Sequence, residues 1–307
     1  MSIEGDSQFI SKKILNSFEG NSKIIELIQS ERPFLISRFG AVELNIVNNY
    51  LEVEEYKKLN ILKKIKFLMR LNRKKINDSF AYMININAGV FPNDEKILRQ
   101  FSKEYIESSK NIDLLGIWKF IRKENYFIDL FCKKAILVNP ESLEPYYHNL
   151  PWSKYLENKK VLVISPITNS IRRNYNKNRD KIYTSNITLP NFQLVTLRAV
   201  QSIAGNQTEF KSWFDALEYM KNEINKIDFD IAILGCGAYG LPLGSFIKNL
   251  GKQAIHMGGA TQILFGIRGK RWDDHPVISK FYNEYWVRPE ESEIPENANK
   301  VENGCYW

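Results

Sequence analysis

The sequence predicts an α/β fold, a Rossmann-like parallel sheet with helices on both faces, built as one piece or as two tightly packed α/β halves. Three observations carry this. Residues 228–259 read as strand, glycine turn, helix and second strand, because Ile231–Leu234 is an unbroken aliphatic run of the kind buried on both faces of a parallel sheet. The second half of the chain repeats the alternation, with β-branched runs at 160–165 and 193–197 separated by segments of helical periodicity. A length of 307 residues, 44% hydrophobic and 25% charged, is enough to cover such a sheet with a core.

Taken in order, residues 9–30 place apolar side chains at Ile10, Ile14, Leu15, Phe18, Ile24, Ile25, Leu27 and Ile28, which predicts two short helices broken at Glu19-Gly20-Asn21. Pro33 then releases residues 34–37 as the first core strand, and that strand delivers Arg38-Phe39-Gly40-Ala41-Val42-Glu43 to its C-terminal end. In an open parallel sheet this is the end at which ligands bind. Residues 56–76 predict one amphipathic helix with nine basic residues and no acidic one. It suits peripheral contact with an anionic membrane face, or equally a solvated cationic surface. Residues 81–91 alternate like a strand that turns at Asn87-Ala88-Gly89; 94–108 read as a helix, and 113–118 and 134–138 as strands. Pro140, Pro145 and Pro151 mark a long loop, read as a lid or as the boundary between an N-terminal half, 1–150, and a C-terminal half, 151–307. Beyond it come a strand at 160–165, a polar turn into a helix from Pro166, a strand at 193–197 and a helix at 209–225.

Composition narrows the partners. A formal charge of +8 invites an anionic ligand, yet the basic residues form no nucleic-acid-binding signature, so nucleic acid is not expected. Cys132, Cys236 and Cys305 match no metal or disulfide spacing and read as reduced thiols of a cytoplasmic protein. The start of the chain has no signal-peptide pattern, and no apolar run approaches the roughly 18 residues that span a bilayer.

The glycine unit carries the first candidate chemistry. Gly235, Gly237 and Gly240 stand at G-x-G-x-x-G spacing around Tyr239, and a second strand ends at His256, Gly258 and Gly259. Such a turn lets backbone approach a phosphate and offers helix N–H groups to it. A dinucleotide-binding domain has an acidic residue at the end of the second strand; here His256 stands there, which favours another phosphate-bearing ligand over NAD or FAD. The plain structural alternative is that the glycines only permit close helix-on-strand packing. Arg268, Lys270 and Arg271 fall in a short polar loop soon after and are candidate pyrophosphate ligands, or simply solvated cations.

Ser37-Arg38-Phe39-Gly40-Ala41-Val42-Glu43, together with the glycine-rich strand and turn from Ile233 to Gly259, resembles the RFG-D-x-E signature of GT-D-type glycosyltransferases and uncharacterised proteins of bacterial capsule and O-antigen gene clusters. The likeness touches about a fifth of the chain. It implies a cytoplasmic enzyme that moves a sugar from a nucleotide-sugar donor to a glycan or lipid-linked glycan acceptor. Ala41 stands where the family has Asp, so only Glu43 of the acidic pair remains. One carboxylate is a poor divalent-cation site, and no metal ligand is assigned. Glu43 is then the candidate general base, and Arg38 either holds it or contacts a phosphate. The alternatives are an NAD- or other nucleotide-dependent tailoring enzyme of the same glycans, and a non-catalytic membrane-associated scaffold.

Overall fold

The computed structural model describes residues 12–58, 76–121 and 123–307. Its strands are β1 (Ile14–Leu15), β2 (Phe34–Arg38), β3 (Leu114–Gly116), β4 (Ile136–Val138), β5 (Lys160–Ser165), β6 (Gln193–Arg198), β7 (Ile231–Leu234) and β8 (Gln253–His256). They form one sheet in the order β1-β4-β3-β2-β8-β7-β5-β6, and every pairing between them is parallel. The strands of residues 14–138 lie toward one end and those of 160–256 toward the other. The last strand joins them: β8 lies between β2 and β7, with Leu35 opposite Ala254 and Ile233 opposite Ile255.

Alternation along each strand splits the core into two layers. Leu35, Leu115, Leu162, Ala232 and Ala254 face one layer; Phe34, Ile36, Leu114, Val161, Val163, Ile231 and Ile255 face the other. The first layer is closed by α2 (Ala41–Lys58), α3 (Asp78–Ala88), α4 (Glu95–Ser109), α5 (Glu124–Phe131), α7 (Trp213–Asn225) and α8 (Gly240–Asn249). The second is closed by α1 (Ser17–Gln29), α6 (Thr168–Ile182), α9 (Ala260–Leu264) and the turns of 278–287. Because the strands are parallel, all their C-terminal ends lie along one edge of the sheet, and Arg38, Gly116, Ser165, Arg198, Leu234 and His256 share that edge. From β2 the chain moves outward to β3, whereas β8 is reached from β7 on the opposite side, so the β2/β8 boundary is a topological switch point.

Two expectations are corrected. Residues 17–29 form one helix, not two. Asn16 and Glu19 make a capping box that fixes its start, and Gly20 is buried within it because a Cβ there would overlap Ser142. Residues 81–91 are not a strand: Asn77 accepts the Ser79 N–H at 2.8 Å, Gly89 ends the helix at φ 75°, and Ile84 and Ala88 stack on its buried face. The basic helix expected at 56–76 falls mostly on residues 59–75, which lie outside those described; Tyr56-Lys57-Lys58 belong to the end of α2. Helix α5 was not anticipated. Among the described residues no helix is long and apolar enough to cross a membrane.

Candidate functional site

The switch point is where the sequence-derived candidates converge. Arg38 closes β2, and its Nη1 pairs with Glu144 Oε1 at 3.0 Å, with side chains only 13% and 12% exposed. Glu144 in turn accepts the Tyr146 hydroxyl at 2.5 Å. The guanidinium lies over the Trp118 ring, 5.2 Å from its centroid, and the indole N–H is fixed by Phe39 O at 3.0 Å. Across the crevice, Gly258 after β8 has φ 60°, and a Cβ there would sit 3.1 Å from Arg38 Nη2. This glycine serves twice: it adopts the left-handed turn and leaves room for the guanidinium. Of the two roles expected for Arg38, holding Glu43 or contacting a phosphate, the first is not seen: its carboxylate partner is Glu144.

Glu43 lies in the first turn of α2, where a negative charge meets the positive end of the helix dipole. Its carboxylate folds back over Gly40, whose missing side chain leaves it room. Burial raises the Glu43 carboxyl above the usual range, against a hydrogen bond from its own backbone N–H, and the nearby charge of Glu302 adds to the rise. The residue as a whole is half-buried, and its carboxyl is the enclosed part. Beneath it Tyr105 is 2% exposed, and burial holds its phenol protonated.

His256 does not line an open ribose pocket. It is 7% exposed, with Nδ1 3.0 Å from Ser37 Oγ, and its ring takes the space of the absent Gly240 side chain. Burial and then the charge of Arg38 pull the imidazole down to about 3, so it is neutral at ordinary pH. The glycine turn has unequal members. Gly237, at φ 56°, is exposed; Gly235 is pressed against Thr261, with 2.6 Å from a hypothetical Cβ to the Thr261 Cβ; Gly240 is buried under His256. Tyr239 is a core residue, stacked on Trp213 at 4.9 Å and 6°, with its hydroxyl 3.3 Å from Ser202 Oγ.

The loop cations are held by the end of the chain. Arg271 pairs with Glu302, stacks 4.7 Å from the Tyr306 ring centroid and donates to the Tyr306 hydroxyl at 3.3 Å; Lys270 Nζ donates to Asn303 O at 3.3 Å. Arg268 instead stacks on Tyr282 at 4.6 Å and faces Asp273 at 3.7 Å. The Tyr306 ring also covers Gly259, 2.8 Å from where its Cβ would stand, which brings Arg271 and the terminal segment to the crevice. Among the described residues no three His, Cys, Asp or Glu side chains gather as a metal site, and Ala41 adds no oxygen ligand beside Glu43.

Trp118, Glu144 and Glu293 are the residues that pattern reading missed. Trp118 had a signal, because it is the last residue of a predicted strand and so belongs to the ligand-binding edge. Glu144 sits among the prolines of the loop read as a boundary, where nothing in sequence singles it out. Glu293 is fully buried and accepts the N–H groups of Asn169 and Ser170 at 2.7 and 3.1 Å and the Ser170 hydroxyl at 2.5 Å, so an internal carboxylate already fills the N-terminus of α6.

No protein-family model and no curated protein sequence matches the chain. Among solved structures it is similar to one described as the highly conserved domain of unknown function 1792 with a distinct glycosyltransferase fold, at 12% identity over 92% of each chain and a TM-score of 0.47. It is also similar to a selenomethionine-substituted structure of domain of unknown function 1792, at 10% identity over 81% of this chain and 79% of that one, with a TM-score of 0.42.

Proposed function

We propose that the protein is a glycosyltransferase-like enzyme that moves a sugar from a nucleotide-sugar donor to a glycan or lipid-linked glycan acceptor in bacterial surface polysaccharide biosynthesis. The observation that carries this reading is that the end of β2 and the first turn of α2 carry, close together in the chain, a cation fixed by Glu144, Arg38, and a carboxylate of raised proton affinity, Glu43. A base works best when its pKa approaches the working pH, and burial moves Glu43 that way. The resemblance of residues 37–43 to the GT-D-type signature supports the same assignment.

In this reading Glu43 takes the proton of an acceptor hydroxyl while that oxygen attacks the anomeric carbon of the donor sugar. The bond from the anomeric carbon to phosphate oxygen breaks, and the nucleoside diphosphate leaves with the electron pair. Arg38, Arg271 and the exposed backbone at Gly237 are the groups proposed to meet the charge that develops on it. Such donors place the reaction in the cytoplasm. The test is a thermal-shift screen against nucleotides and nucleotide sugars, followed by calorimetry. A ligand that binds only the folded protein raises its midpoint by mass action. A nucleotide sugar that stabilises the native protein, and does so less in Arg38→Met, is the expected result. Stabilisation by NAD alone, or by no nucleotide, overturns the reading.

A further inference from the structure

Beside the proposed donor site lies an aromatic platform. Trp118 and Phe120 follow β3 on the ligand-binding edge, with ring centroids 5.5 Å apart and planes inclined by 49°. The two rings differ in role. Trp118 is fixed by its bond to Phe39 O and carries the Arg38 guanidinium, whereas Phe120 stands 73% exposed.

The loop that presents them is built for the purpose. Glu124, 1% exposed, reaches back to accept the N–H of Trp118 at 3.3 Å and of Lys119 at 2.8 Å. Lys119 adopts φ 64° and Lys123 φ 59°, left-handed conformations that are unfavourable for a residue with a side chain. A buried carboxylate therefore holds the backbone of Trp118 and Lys119, next to a Phe120 that faces water. Such strain persists where surrounding structure over-determines it, and it clusters at binding sites.

We infer that the Trp118–Phe120 platform is the acceptor subsite, and that it binds a carbohydrate ring by stacking the ring's apolar face on Phe120. This rests on the sugar-transfer reading above. Three features favour a sugar over a nucleobase. The aromatic face is open, not a slot, as a subsite must be if a glycan chain runs past it into solvent. The exposed Lys119 ammonium of the same loop is a donor, which suits hydroxyl oxygens, while a base edge needs acceptors as well; the Lys119 N–H is taken by Glu124 and the Lys123 ammonium by Glu52. Finally, Trp118 is hydrogen-bonded to Phe39, the residue between Arg38 and Gly40, so the platform adjoins the Glu43 turn that is to receive the acceptor hydroxyl.

The test compares the wild-type chain with Phe120→Ala and Phe120→Tyr on an array of bacterial surface glycans, with nucleotide-sugar binding by calorimetry run in parallel. Phe120 is solvent-exposed, so neither change threatens folding. Expected is glycan capture that falls at least tenfold in Phe120→Ala, returns in Phe120→Tyr, and is accompanied by unchanged nucleotide-sugar affinity. Glycan capture that is equal in all three chains, or absent in the wild type, overturns the subsite and leaves the donor reading standing. Loss of nucleotide affinity in Phe120→Ala overturns it too, because the platform then stacks the base. Absence of nucleotide-sugar binding in the wild type, with glycan capture intact and dependent on Phe120, separates failure of the transferase reading from survival of the platform as a carbohydrate site.

Discussion

Glu144→Ala isolates the Arg38 guanidinium, and the structure sets the size of the effect. Both side chains of the 3.0 Å pair are nearly nine-tenths buried. Removing one partner of a buried ion pair leaves the other charge uncompensated and costs about 3–5 kcal/mol. The Tyr146 hydroxyl, on a residue 7% exposed, loses its acceptor at the same time, while the Trp118 face continues to attract Arg38. A loss near the lower end, about 3 kcal/mol, is therefore expected. The assay is urea unfolding followed by circular dichroism on wild type, Glu144→Ala and the double variant Arg38→Met with Glu144→Leu. The double variant buries no charge and should be closer to wild type than the single one. A Glu144→Ala protein within about 0.5 kcal/mol of wild type, the range of ordinary surface substitutions, would refute the claim that Arg38 is held by a desolvated pair.

Further consequences follow from neighbouring residues. His256 has a folded-state pKa of about 3 against an unfolded value of 6.5, so the native state takes up fewer protons and stability falls as pH drops below 6.5. Between pH 7 and pH 5 the wild type should lose about 2 kcal/mol more than His256→Gln, and equal slopes in paired urea titrations would show that the ring protonates freely. Gly258→Ala forces a side chain into φ 60° and against Arg38; about 1–2 kcal/mol of stability and weaker nucleotide binding are expected, and a fully stable variant would mean the turn relaxes without strain. Glu293→Ala strips three hydrogen bonds from the start of α6 and should cost more than about 2 kcal/mol, with a midpoint within a degree of wild type as the contrary result.

The extent to which sequence foretold this molecule varies with the range of the interactions involved. Strands β2, β5 and β7 were legible because central parallel strands are apolar on both faces and stand out as short aliphatic runs. Helix α3 was misread because Tyr82-Met83-Ile84-Asn85-Ile86-Asn87 alternates by accident, while the deciding signals, the Asn77 cap and Gly89, lie outside the run. In the site, Arg38 and Glu43 were found from their strand-end position, yet their relation was not. The Arg38 partner lies 106 residues away, a distance that only the closed sheet spans. The glycine motif was read as an approach of backbone to a phosphate, with close helix-on-strand packing as the alternative, and what approaches Gly240 is His256, from the strand that follows.

The direct test of the account is the role of Glu43. Glu43→Gln keeps the shape of the side chain at the start of α2 and removes its ability to take a proton. With the nucleotide sugar identified by thermal shift, donor affinity by calorimetry should stay within about twofold of wild type, while the transfer rate falls by about two to four orders of magnitude. The wild-type rate should rise with pH through a group titrating above the ordinary carboxylate range, and that limb should be missing in the variant. A Glu43→Gln protein that transfers sugar at the wild-type rate contradicts the account.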